Sequence, residues 1–129
     1  MERQTPKCMK MEEPWQWRMR MARRLAAELD SERLGVAALY VIGSTRNATA
    51  GEGSDIDLLI HFRGNEAQEQ ELRKWLEGWS RSLAEMNFER TGFRSEGLLD
   101  LHLVTDADIE QKTSYAVKIG ASSDAALLL

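Results

Sequence analysis

No apolar run in the sequence approaches the roughly 20 residues that a membrane-spanning helix needs, so no segment is expected to cross a bilayer. The opening residues, MERQTPKCMKMEEP, lack the apolar centre of a secretion signal. Cysteine is almost missing. Cys8 stands alone in a polar stretch and cannot close an internal disulfide, which suits a reducing compartment and makes cytoplasmic the expected location. Positive charge is not in excess either. Lys and Arg number 17 against 21 Asp and Glu, for a formal net charge of −4, so no global field draws the chain to nucleic acid or membrane. Internal repeats and low-complexity linkers are absent. What remains is 129 residues of ordinary globular composition. That is the length of one domain, enough to bury a core without disulfide or metal staples.

Residues 1–13 are polar and unpatterned and read as a flexible arm. Pro14 suits the first turn of a helix. Trp15, Met19, Ala22, Ala26 and Leu29 then fall at helical spacing and predict one buried face, with Arg18, Arg20, Arg23 and Arg24 on the solvated side. Val36–Ile42 (VAALYVI) reads as a buried strand bounded by glycines, and Ile56–Phe62 (IDLLIHF) as a second. Between them lies a turn-rich polar loop, 43–54, of a length that usually signals function. Glu66–Met86 is the cleanest amphipathic helix, with Leu72, Trp75, Leu76, Trp79, Leu83 and Met86 on one face. Residues 87–96 fit a loop or a short strand. Leu98–Val104 is a third strand, and Thr105-Asp106 opens a short helix to about Lys112. The expected organisation is an arm over 1–13, a domain over 14–112 and a tail over 113–129. The expected fold class is α+β, a small mixed β-sheet packed against helices.

Chemistry concentrates in GSTRNATAGEGSDIDLLIHF, residues 43–62. Asp55 and Asp57 stand two apart at a strand start, so their side chains share a face. Two such carboxylates repel, and one takes a raised pKa unless a cation bridges them. Hard oxygen ligands suit Mg²⁺ or Mn²⁺. Asp100 reaches the same face if the third strand neighbours the second, and three carboxylates at a sheet edge are what two-metal phosphoryl transfer requires. At the loop's other end, Gly43 permits a sharp turn and close ligand approach. Ser44 offers a backbone N–H and a hydroxyl to a phosphate.

Gly43-Ser44, then Ser54-Asp55-Ile56-Asp57 followed by Leu58-Leu59-Ile60, resembles the signature of the nucleotidyltransferase superfamily with its polymerase-β-like fold, of the minimal nucleotidyltransferase type. The resemblance spans about residues 36–104. It implies that Gly43 and Ser44, with Ser54 and Arg46 beside them, bind a nucleoside triphosphate. It also implies that Asp55, Asp57 and Asp100 hold metal, two Mg²⁺ ions with Mn²⁺ as the alternative, and carry catalysis. The implied reaction moves a nucleoside monophosphate from an NTP to an acceptor hydroxyl on protein, small molecule or RNA. Many members read Ala-Arg-Gly shortly after the Gly-Ser pair, where this chain has Arg46-Asn47-Ala48, so Arg46 is displaced by one position. Larger members carry a C-terminal helical domain for which this chain has little room. A homo-oligomer, a small helical partner protein as in a toxin–antitoxin pair, or the tail is therefore expected to complete the acceptor site.

A second class of function fits the same residues: a non-catalytic nucleotide-binding or regulatory module in a larger assembly. A metal-dependent phosphodiesterase would use the carboxylates on water but has no use for Gly43-Ser44. The remaining residues have plainer readings. His102 shares a face with Asp100, and His61 ends a strand half exposed. Trp75 and Trp79 are expected in the core. Asp106 and Asp108 sit where a helix dipole favours acids. Lys112 and Lys118 lie within reach of a triphosphate, although no pattern in the sequence assigns them to it.

Overall fold

Two apolar stripes compete for the buried side of the first helix, and packing selects one of them. A computed structural model describes residues 12–129; Cys8 and most of the expected N-terminal arm lie outside the described residues. Helix α1 runs Pro14–Glu28, with proline in its first turn as its fixed φ favours. It buries Trp17, Arg18, Met21, Ala22 and Leu25. This corrects the sequence expectation. Of the Trp15-Met19-Ala22-Ala26-Leu29 stripe only Ala22 is fully buried, while Met19, Ala26 and Leu29 pack at the core's margin. Arg18, assigned to the solvated side, is buried.

A single turn, α2 (Ser31–Leu34), is capped by the Asp30 side chain and closed by Gly35 in left-handed conformation. It feeds β1 (Val36–Ile42). The loop expected over 43–54 begins with a helical turn, α3 (Gly43–Arg46). Strand β2 (Ile56–Phe62) follows, then α4 (Glu66–Thr91), β3 (Leu99–Val104), α5 (Asp106–Gln111), a 3-10 helix over Ser114–Lys118, and β4 (Leu127–Leu128). Helix α4 outruns its expected end by five residues and stops at Gly92, whose φ of 83° is left-handed. The extension begins with Asn87, which is buried; Met86, expected on the apolar face, is exposed.

The four strands form one mixed sheet in the order β3-β2-β1-β4. β1 is antiparallel to both β2 and β4, and β2 is parallel to β3. Alternation sends Leu39, Val41, Ile56, Leu58 and Ile60 to one face. There they meet Trp17, Met21 and Leu25 of α1 and Leu72, Leu76 and Leu83 of α4 in the main core. Trp75 and Trp79 pack against its edge. The opposite face carries a smaller cluster, Ile42, Leu59 and Val104, covered by Ala116, Ile119 and Ala126 of the C-terminal segment. The expected acidic residues lie on this second face.

Candidate active site

The parallel pairing of β2 with β3 sets Asp57 directly beside Asp100, and Leu59 beside His102. The register is fixed at the strand entry. Ser80 of α4 accepts the Leu98 and Leu99 N–H groups on its hydroxyl, both at 3.0 Å, and the Leu98 carbonyl accepts from Ile56 N at 2.7 Å. A Cβ on Gly97 would lie 2.6 Å from the Ser80 hydroxyl, so glycine there lets the chain close onto the helix.

Asp57, Asp100 and His102 each bring one ligand atom within 4.8 Å of the others. His102 Nε2 lies 3.4 Å from Asp100 Oδ2 and 3.7 Å from Asp57 Oδ1. The Tyr115 ring lies against the histidine, centroids 4.2 Å apart. Asp100 is about half exposed at 53%, against 26% for Asp57 and 19% for His102. Burial, and then the adjacent Asp100 carboxyl, push Asp57 up to about 6, against a smaller pull from His102. Asp55 is more exposed and stands outside this trio. Its carboxyl is raised by burial and by Asp100, and lowered by Arg18.

Gly43 closes the site from the β1 side. Its φ is 72°, a left-handed value, and a Cβ there would overlap the Asp57 carboxylate. Glycine is thus required both for the turn and for the space that Asp57 fills. Ser44 follows, half-buried, its carbonyl accepting from Thr49 N at 2.9 Å and Ala50 N at 3.2 Å. Ser54 Oγ accepts from Gly51 N at 2.9 Å, which tightens the turn before Asp55. Arg46 Nε donates to the Ala125 carbonyl at 3.0 Å and so ties the site's flank to the C-terminal segment.

Sequence reasoning missed two residues that hold this site. Arg18 donates from Nε to the Ser54 carbonyl at 2.8 Å and from its terminal nitrogen to the Glu52 carbonyl at 2.9 Å. Asn87 also donates to the Glu52 carbonyl, at 2.9 Å, and its side-chain oxygen accepts from Arg18. A buried guanidinium and a buried amide thereby fix the backbone just ahead of Asp55. The signal was present, because Arg18 is in helical register with Met21, Ala22 and Leu25. His61, at the far end of β2, bonds Asp106 at 2.5 Å, and Arg63 joins the same carboxylate.

Two carboxylates and an imidazole converge, a donor set that could hold a divalent cation. A family model described as a nucleotidyltransferase domain matches residues 22–96, more than half of the chain. No curated protein and no solved structure matches. The matched span contains Gly43, Ser44, Asp55 and Asp57 and stops four residues short of Asp100.

Proposed function

This chain belongs to the nucleotidyltransferase domain family, and on that premise we propose that it moves a nucleoside monophosphate from an NTP to an acceptor hydroxyl at the Asp57–Asp100 pair. The observation that carries this reading is the strand register that seats these two carboxylates together, with Gly43 leaving room for one of them.

The proposed roles follow from position. Asp57 and Asp100, with Asp55 and His102 at their margin, would hold Mg²⁺ or Mn²⁺, which when bound would supply positive charge to offset that of the phosphates. Gly43 and Ser44 bind the triphosphate through backbone N–H and the Ser44 hydroxyl. Asp100 is the exposed member of the pair and faces the acceptor. It takes the hydroxyl proton as the acceptor oxygen bonds to the α-phosphorus. The bond from that phosphorus to the β-phosphate's bridging oxygen breaks, and pyrophosphate leaves with the electron pair toward Ser44. His102 Nε2, 3.4 Å from Asp100 Oδ2 and 3.7 Å from Asp57 Oδ1, faces both carboxylates and stays at the margin of the pair. The protein's contribution is placement and charge. Arg18 and Asn87 supply part of the placement by holding the 52–54 backbone still.

The acceptor side is open, since Asp100 is exposed and β3 is an edge strand. A second copy or a helical partner would complete the acceptor site from that side.

The test begins with calorimetric titration of ATP, GTP, CTP and UTP with and without Mg²⁺, followed by α-labelled nucleotide and candidate acceptors. Asp57→Asn is expected to abolish Mg²⁺-dependent binding, and Asp100→Asn to lower transfer by at least about 100-fold while the fold is kept. Normal turnover in either variant removes the assignment.

A further inference from the structure

Transfer needs a hydroxyl, and the chain brings one of its own to the carboxylates. Tyr115 lies on the 3-10 helix over Ser114–Lys118. Its ring rests on His102, with centroids 4.2 Å apart and planes inclined by 47°. At the imidazole's edge, Nε2 lies 3.4 Å from Asp100 Oδ2 and 3.7 Å from Asp57 Oδ1. One imidazole therefore separates the phenol ring from both carboxylates.

The backbone on either side of Tyr115 is anchored. Two residues before it, Thr113 N donates to the Asp108 carbonyl at 2.9 Å, and Thr113 Oγ1 donates to Asp108 Oδ1 at 2.9 Å. One residue after it, Ala116 N donates to the Thr113 carbonyl at 3.0 Å, and the Ala116 side chain is buried with Ile42, Leu59 and Val104. Between these anchors the tyrosine itself is 42% exposed. The segment thus holds Tyr115 over the cluster while leaving its side chain accessible. Exposed side chains change rotamer in picoseconds to nanoseconds, so bringing the hydroxyl from His102 toward the carboxylates asks for no change of fold. Stacking on His102 uses only the ring; the hydroxyl adds a nucleophile.

We propose that Tyr115 is itself an acceptor, and that the chain transfers a nucleoside monophosphate from its bound NTP to its own Tyr115 hydroxyl within one molecule. The proposal rests on the reading of the Asp57–Asp100 pair as a transfer site. The phenolic oxygen bonds to the α-phosphorus, and its proton passes to Asp100. The bond from that phosphorus to the oxygen bridging to the β-phosphate breaks, and pyrophosphate leaves with the electron pair. The product is a tyrosyl phosphodiester. Because nucleophile and site belong to one chain, the step is unimolecular once the NTP is bound and gains from proximity. Each chain carries one Tyr115, so transfer ends at one nucleotide per chain.

The experiment incubates the full chain with Mg²⁺ and each α-labelled NTP in turn, follows intact mass, and locates the adduct by peptide fragmentation. Tyr115→Phe keeps the ring and removes the hydroxyl, with thermal unfolding as the folding control. With at least one NTP, wild type is expected to gain one nucleoside monophosphate per chain, on Tyr115. Tyr115→Phe and Asp57→Asn are expected to lose the label. The first-order rate constant is expected to stay the same when the protein is diluted. Three results overturn the proposal: an NTP that binds by calorimetry yet leaves no label, a label that survives in Tyr115→Phe, or a rate constant that rises with protein concentration. Failure of the underlying reading shows separately, as wild type that binds none of the four NTPs with Mg²⁺.

Discussion

Gly43 and Asp57 are a single device made of two residues. The turn needs a positive φ at 43, and the carboxylate needs the volume that a Cβ would take. Gly43→Ala is therefore expected to cost about 1–2 kcal/mol for the left-handed backbone, and to move Asp57 off its position. Nucleotide binding in that variant should fall much more than its unfolding midpoint in urea. Asp57 also carries a measurable cost of function. Its carboxyl in the folded chain is raised to about 6, above the ordinary aspartate value it regains on unfolding. Between roughly pH 4 and pH 6 the folded state holds a proton that the unfolded state has released. The contribution of Asp57 to stability therefore falls as pH rises through that window, and stays at its lowest above it. With metal chelated, Asp57→Asn should melt higher than wild type at pH 7, and the gap should close below about pH 4. Melting curves across that range check the sign; an Asn variant that melts lower at pH 7 means the carboxylate is already favourably paired without metal. Such a gain is the trade expected if Asp57 is kept for a ligand rather than for stability.

At the scale of elements, Arg18 shows why helix amphipathicity was only half legible. Trp15, Met19, Ala22 and Ala26 make one apolar stripe of α1, and Trp17, Met21, Ala22 and Leu25 make another. Periodicity cannot rank them when charged residues interrupt both. The deciding partner lies far along the chain: the Glu52 and Ser54 carbonyls and Asn87, none of them visible to a local pattern. Asn87, just past the expected end of α4, belongs to the same network and is polar in sequence yet buried in the fold. Strands β1 and β2, in contrast, were legible to the residue, since glycines and turn residues bound two short, mainly apolar runs with β-branched and aromatic members. Arg18→Met would keep the packing volume, strip the Ser54 carbonyl of its side-chain donor and leave the Glu52 carbonyl with Asn87 alone. It is expected to destabilise by about 3 kcal/mol, read from urea unfolding. Amide exchange should rise first in residues 51–55, ahead of the sheet.

For the molecule as a whole, the sheet separates two jobs. One face meets α1 and α4 in the main core, and all four tryptophans sit on those two helices. The other face holds Asp57, Asp100 and His102 next to the small cluster roofed by Ala116, Ile119 and Ala126. The candidate site was legible in part. The Gly-Ser and Asp-x-Asp spacing pointed to Gly43, Asp55 and Asp57, and a run of apolar residues around Asp100 pointed to a strand. That His102 joins the pair, and that Tyr115 lies on it, depends on register and on a tail with no periodic pattern. The C-terminal residues read as a loose tail in sequence because β4 has only two residues and the 3-10 helix five, too short to show a period. Yet β4 extends the sheet at β1, and Leu129 N donates to the Leu39 carbonyl at 2.9 Å. We therefore expect residues 113–129 to unfold together with the domain over 14–112. Ile119→Ala, which thins only the roof of the small cluster, tests this. It should cost about 1–2 kcal/mol and shift the tryptophan-fluorescence midpoint, reported entirely from the opposite face, by the same amount as the far-ultraviolet circular dichroism midpoint. A fluorescence transition that stays in place while the dichroism changes would make the tail a separate folding unit. The roof over the face that carries Asp57 and Asp100 would then open independently of the core that holds the carboxylates in register.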